Sequence, residues 1–171
     1  MSKIEVRGWS LHQPWASLVA CGLKRVETRG KGHPYRGLVA IHASKPWSQE
    51  SRDALDRIER QFPVEVDARW SRLSRLEARP PLGGFVAVAR LTACEVMTEA
   101  SIAAQTPLER ACGDWRAGRY AYRLENVQPL EAPVPASGKQ GLWRLDPYLP
   151  ELRAVRVAAE SIMTLSGLVD S

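Results

Sequence analysis

Cysteine is scarce in this chain, which excludes two common kinds of structural cross-link. The 171 residues include only three cysteines, Cys21, Cys94 and Cys112, and no Cys-x-x-Cys pair. An odd number at long spacings fits neither a disulfide framework nor a structural zinc site. We therefore expect a reducing, cytoplasmic setting, with no metal and no cofactor.

Long apolar runs are absent as well. The N-terminus lacks the apolar core of a signal peptide. Hydrophobic residues make up 44% of the chain and charged residues 25%, which is typical of a soluble globular protein and argues against disorder and a membrane span. The length favours one domain.

The signatures of the large enzyme classes are also missing. The sequence contains no Gly-x-Ser-x-Gly elbow, no phosphate-binding Gly-rich loop followed by Lys-Ser/Thr, no Gly-x-Gly-x-x-Gly and no His-Glu-x-x-His. Its three histidines, His12, His33 and His42, show no metal-ligand spacing. A structural role is the simpler interpretation of His42.

Positive charge is present, and it is concentrated at one end. The chain carries a net charge of +5. Residues 1–45 contain eight basic and two acidic residues, whereas residues 46–171 are close to neutral. A basic segment on a neutral remainder fits a protein that meets phosphate or another anion, although an uneven distribution also arises by chance.

The apolar patterns predict an α+β fold in which strands alternate with short helices. Strands are predicted at 4–11, 25–29, 36–44, 84–97, 120–127 and 141–145. Gly8 predicts a bulge in the first strand. Because proline cannot donate to a ladder, Pro129, Pro133 and Pro135 predict a stiff connection before the last strand. Together the elements suggest a small mixed sheet or a partly open barrel.

The helices are predicted from their stripes and caps. They lie at 14–21, twice within 46–81, after the capping residues Thr98 and Thr106, and from Leu149 to Met163. In the 46–81 segment, Leu55, Ile58 and Phe62 mark one stripe, and Trp70, Leu73 and Leu76 mark another. Its seven arginines are matched by seven acids, which favours a solvated ion-paired surface over a nucleic-acid patch.

One short segment crowds four charges at a predicted helix-to-strand junction. It reads Gly22-Leu23-Lys24-Arg25-Val26-Glu27-Thr28-Arg29. Such charges suit an exposed edge strand that must avoid pairing with another chain. They also suit a binding cleft.

The pattern Gly22-x-Lys24-x-x-Glu27-x-Arg29 resembles the G-x-K-x-x-E-x-R signature of the ASCH domain family. Further similarity lies in Ser10-Leu-His-Gln-Pro-Trp-Ala-Ser17, Tyr35-Arg-Gly37, Ile41-His-Ala-Ser44 and Gly141-Leu-Trp143. The resemblance implies a PUA-like small mixed β-barrel with short flanking helices and a cleft lined by the signature. It places one ASCH domain at 1–147, with a helical insertion at 46–81 and a helical extension at 148–171.

The resemblance also implies an RNA or nucleotide-like ligand, with DNA as an alternative and no membrane partner. In such a cleft, Lys24 and Arg29 bind phosphate or a base carbonyl, and Glu27 accepts hydrogen bonds from an exocyclic amine or holds the two cations in place. Trp15 stacks on a base or, more simply, belongs to the core. The residues His42, Ser44 and Lys45 border the same cleft.

Three further functions stay open. Some family members are amidohydrolases acting on N4-acetylcytidine, for which Lys24 would be base or nucleophile. That branch has threonine in place of Glu27, and its distant glutamate has only Glu95 or Glu125 as counterparts here. A metal-dependent ribonuclease would use oxygen ligands such as Glu27, and a protein-interaction domain would use a surface away from the signature.

Overall fold

The structure is a computed structural model that describes residues 3–70 and 79–167. It confirms the α+β class. Six strands form one mixed sheet: β1 (Val6–Leu11), β2 (Val26–Arg29), β3 (Gly37–Ala43), β4 (Gly84–Val96), β5 (Tyr120–Pro135) and β6 (Leu142–Leu145). Their order is β2-β5-β4-β3-β1-β6. Among the described residues the sheet is open, with β2 and β6 at its edges, so the barrel is not closed.

Within the described residues, six α-helices accompany the sheet. They are α1 (Trp15–Ala20), α2 (Gln49–Gln61), α3 (Pro63–Trp70), α4 (Glu99–Ala103), α5 (Pro107–Ala111) and α6 (Arg153–Leu165). Thr98 and Thr106 cap α4 and α5 through their hydroxyls, as predicted. The helices α2 and α3 fall within the predicted insertion, while the Leu73–Leu76 stripe lies outside the described residues.

The core lies on both faces of the sheet. On one face α1 packs over β3 and β4, in a cluster that includes Val19, Ile41 and Leu91. On the other face α6 buries Val155, Ala159 and Ile162. The central strands therefore lie between two apolar layers. The predicted site residues lie on and next to β1, β2 and β3.

The bulge predicted at Gly8 is wrong. The strand β1 pairs in continuous register with β3 from Val6 to Leu11. Glycine serves another purpose here, because a Cβ at this position would lie 2.2 Å from the indole of Trp143. The missing side chain leaves room for the indole of Trp143, on β6, to pack against the neighbouring strand.

The predicted end of the fifth strand is also wrong. Instead of ending at Val127, β5 continues through Pro129, Pro133 and Pro135 beside β4. The strand β2 pairs only with residues 120–123 of β5, so the proline-containing part has one sheet partner. Register shifts interrupt that pairing, and prolines are tolerated at free edges and at irregularities of this kind.

Candidate functional site

The signature begins where α1 ends. Gly22 has φ +76°, a left-handed conformation that glycine adopts without strain. The chain then turns back, and Lys24 N–H donates to Leu18 O at 3.0 Å. This turn directs the Lys24 side chain into the protein instead of into solvent.

Lys24 is buried and fully engaged. Its side chain is 1% exposed, and Nζ donates to the carbonyl oxygens of Val26 and Cys112, each at 2.6 Å. The same Nζ lies 3.4 Å from Glu27 Oε2 and 5.7 Å from the centre of the Trp15 indole. An ammonium group has three protons, and this site offers a partner to each. The lysine therefore ties the end of α5 to β2.

Glu27 connects the buried lysine to an arginine at the surface. Glu27 Oε1 lies 2.9 Å from Arg29 Nε, but that N–H is not aligned on any acceptor, so the contact is a charge pair and not a well-formed hydrogen bond. Arg29 Nη2 donates to Ser10 O at 3.0 Å, and its guanidinium lies over the Trp9 ring at 5.5 Å. The arginine side chain is 40% exposed. The side chains of the signature thus form a row from the buried Lys24 through Glu27 to the partly exposed Arg29.

A buried carboxylate that the sequence reasoning missed holds the start of β2. The oxygens of Glu109 accept from the backbone N–H groups of Arg25 and Val26, each at 3.0 Å. The backbone N–H of Glu109 also donates to the hydroxyl of Thr106, the N-cap residue of α5. The capping pattern predicts helix α5. The neighbouring residues, however, do not predict that Glu109 accepts hydrogen bonds from the backbone at the start of β2.

An open cleft of about 740 Å³ lies beside Arg29. Its lining combines three cationic side chains with histidines, hydroxyls and a glycine-containing loop: Arg29, Lys45, Lys139, His12, His42, Ser10, Ser44, Pro46, Ser137, Gly138, Gln140 and Gly141. No carboxylate is among these residues. The lining therefore carries three positive groups, of which Arg29 is paired with Glu27 from outside the lining. The cleft sits where β1 and β3 end.

The structure distributes the predicted site residues over two locations. Four of them line the cleft, namely Arg29, His42, Ser44 and Lys45. The other three, Lys24, Glu27 and Trp15, lie behind it and are absent from its lining. Trp15 is half-buried and packs against the apolar clusters under α1.

Sequence reasoning missed the loop 137–141 and two residues of the first strand region. Lys139 is one of the three cleft cations, and Ser10 and His12 also line the cleft. Ser10 and His12 belong to the segment that carries the family resemblance, so their position was an available signal. No pattern in the sequence predicts that Lys139 lies near Arg29. The pairing of β6 with β1 brings the preceding loop, which contains Lys139, to the cleft.

The described residues hold no cluster of three or more histidine, cysteine, aspartate or glutamate side chains placed to bind a metal ion. In that part of the chain, no helix has the length and apolar character needed to cross a bilayer.

The cysteines provide a test of this packing. Burial raises the pKa of Cys21 to about 11 and that of Cys112 to about 12. Because the thiolate is the reactive form, we expect both thiols to resist iodoacetamide in the folded protein at pH 8, and Cys112, which is buried where Cys21 is half-buried, to resist it longest. Peptide mass spectrometry measures this, and the unfolded chain, in which all three should react, is the control. Rapid labelling of Cys112 in the folded chain would contradict the packing around Lys24.

An open mixed sheet with helices on both faces and a cationic cleft at its strand ends defines an α+β domain consistent with a PUA-like fold. The sequence profile of the ASCH domain matches residues 9–134. This chain therefore belongs to the ASCH domain family.

Relatives agree with this assignment. The chain is 30% identical to activating signal cointegrator 1 of Homo sapiens over 145 residues. This match covers 81% of this chain and 22% of that protein. The Mus musculus protein of the same name matches equally. The chain thus spans about a fifth of the length of these curated relatives. The crystal structure of ASCH from Zymomonas mobilis has a TM-score of 0.53 at 15% identity, covering 89% of this chain and 94% of that one, and shows the shared fold.

Proposed function

We propose that the cleft beside Arg29 binds single-stranded RNA or a nucleotide-like ligand. The observation that supports this most directly is its charge. Arg29, Lys45 and Lys139 line one opening without a carboxylate in its lining. Contacts from lysine and arginine to phosphate supply most of the affinity of such complexes.

Arg29 is the most preorganised of the three cations. Glu27 and Ser10 O hold its guanidinium from behind, so little side-chain entropy is lost when a ligand binds. Lys45 and Lys139 are exposed and supply mobile charge. We assign Arg29 to ligand orientation and the lysines to the phosphate backbone.

Hydroxyl groups favour RNA over DNA as the ligand. Ser10, Ser44 and Ser137 line the same cleft, and a serine hydroxyl can donate to or accept from a ribose 2′-OH, the group by which proteins distinguish the two nucleic acids. His12 is exposed and lines the cleft, and we assign its ring to stacking on a base. In this assignment the aromatic contact comes from His12, and Trp15 stays with the core.

The amidohydrolase hypothesis requires a different state of Lys24. To act as a base or nucleophile, its amine would have to lose a proton and leave the carbonyls of Val26 and Cys112. The cleft and Lys24 are also separate locations. The geometry therefore supports binding more strongly than lysine-based catalysis.

A salt titration of the full chain tests the proposed function. We expect short single-stranded RNA to bind with a slope of about −1.4 in log affinity against log salt, since each of the two phosphates neutralised by Lys45 and Lys139 contributes about −0.7. The variants Lys45→Ala and Lys139→Ala should each reduce that slope by about 0.7. Fluorescence anisotropy measures both quantities, with a DNA oligomer of the same sequence in parallel.

The matched control is Arg57→Ala, which removes one exposed positive charge on α2, away from the cleft. It should bind RNA like the unmodified protein. Absence of binding, or an equal loss of affinity in Arg57→Ala and Lys45→Ala, would mean that the cleft is not the RNA site. Equal affinity for DNA and RNA would remove the assigned role of the serine hydroxyls.

A further inference from the structure

A hydroxyl and an imidazole face each other inside the cleft. Ser10 Oγ lies 3.2 Å from His42 Nδ1, and both residues line the opening. They occupy paired positions of the adjacent parallel strands β1 and β3. Two central strands, instead of mobile loops, therefore set the distance between them.

The other ring nitrogen defines the tautomer of this histidine. His42 Nε2 lies 2.9 Å from Ala136 O, and a carbonyl oxygen can only accept, so Nε2 carries the proton. This leaves Nδ1 as the acceptor that faces the Ser10 hydroxyl. Phe85 and Trp143 contact the imidazole edge-on, with ring centres 5.5 and 6.1 Å away. The arrangement has a hydroxyl, a base and a group that orients the base, as in activated serine nucleophiles.

The surroundings of the pair suit a reaction that develops negative charge. Arg29 donates to the carbonyl oxygen of Ser10 itself, and Lys45 lines the same cleft. Positive groups near a developing oxyanion stabilise it. The loop also approaches closely, since a Cβ at Gly138 would lie 2.7 Å from Ser10 Oγ. Only glycine lets the loop pass there without displacing the pair.

We propose that Ser10 and His42 form a nucleophile and general base that transfer acyl groups from esters carrying a phosphate or another anionic part. This inference rests on the proposed function for the anionic part, which the cleft cations would hold. Ser10 Oγ bonds to the ester carbonyl carbon while its proton passes to His42 Nδ1. The bond from that carbon to the leaving oxygen breaks, and the alcohol leaves with that proton.

Water completes the cycle. A water oxygen bonds to the carbonyl carbon of the acyl-serine and gives a proton to Nδ1. The bond from the carbon to Oγ then breaks, and Oγ recovers the proton from the imidazole, which releases the carboxylic acid. Atoms and charge balance without a metal or a redox partner.

A fluorophosphonate probe tests the pair in the full chain, because it phosphonylates activated serine hydroxyls with release of fluoride. We expect one adduct, located on Ser10 by peptide mass spectrometry. His42→Gln should be labelled at least about 100-fold more slowly, since general-base assistance contributes 10²–10⁴-fold. Ser161→Ala, which removes an exposed hydroxyl on α6, should be labelled like the unmodified protein. Inorganic phosphate should slow labelling by competing for the cleft.

Failure of labelling on Ser10 in the unmodified folded protein would overturn the proposal, even if His42→Gln does not fold. Equal labelling rates in a folded His42→Gln variant, judged by circular dichroism, would do the same. If RNA binds but Ser10 is not labelled, the nucleophile pair fails alone. If Ser10 is labelled but no RNA binds, the pair stands and the proposed binding function fails.

Discussion

Replacing Lys24 by methionine is expected to lower the free energy of unfolding by about 3–5 kcal/mol, the cost of removing one partner from a buried ionic site. The substitution keeps an unbranched side chain that is one atom shorter, but it leaves the carbonyls of Val26 and Cys112 without their donor and Glu27 without its buried cation. In a chain of this size we expect the melting midpoint to fall by on the order of 10 °C. Chemical denaturation and a thermal melt measure the two effects.

Lys31→Met is the matched control, because Lys31 belongs to the same basic segment, residues 1–45, and is exposed. It should change stability by less than about 0.5 kcal/mol. A similarly small effect of Lys24→Met would show that Lys24 is not the anchor described above, and would reopen the hypothesis in which its amine serves catalysis.

The second large effect is expected at Glu109. Glu109→Ala leaves the backbone N–H groups of Arg25 and Val26 without acceptors, at about 1–3 kcal/mol each, so we expect a total loss of about 2–6 kcal/mol. Glu109→Gln keeps one acceptor oxygen and should cost about half as much. Denaturant titration gives the stability, and hydrogen exchange should show faster exchange at the amides of residues 25 and 26.

Glu131→Ala removes an exposed carboxylate from β5 and should be neutral. If Glu109→Ala and Glu131→Ala have the same stability, or if residues 25 and 26 exchange no faster in Glu109→Ala, the carboxylate does not hold β2. Both large effects concern the same element, since Lys24 and Glu109 fix the strand from which Arg29 reaches the cleft.

The interpretation of the charged segment as an exposed edge strand is half right. The strand β2 does lie at a sheet edge, but Glu27 and Thr28 are buried. The hydroxyl of Thr28 accepts from Asp114 N–H at 2.9 Å, and the segment after α5 covers the edge. Periodicity located the strand and its charges, whereas the burial depends on a segment more than eighty residues away.

The domain limits at 1–147, with the insertion at 46–81 and the extension at 148–171, stay a prediction. The packing of the C-terminal helix bears on the limit at residue 147. The helix α6 contributes Val155, Ala159 and Ile162 to the same apolar cluster as Phe85. In the described residues the extension therefore shares the core of the sheet instead of standing apart from it.

The sequence by itself determined the family, the α+β class, the capped helices and the motif that leads to Arg29, because propensities, caps and motif spacing act over a few residues. Tertiary structure alone decided that Lys24 is an anchor, that Glu109 holds β2, and that Lys139 joins Arg29 and Lys45. The physical reason is that burial and charge pairing depend on which distant strands become neighbours. A lysine in water and a lysine held by two carbonyls look the same in a sequence.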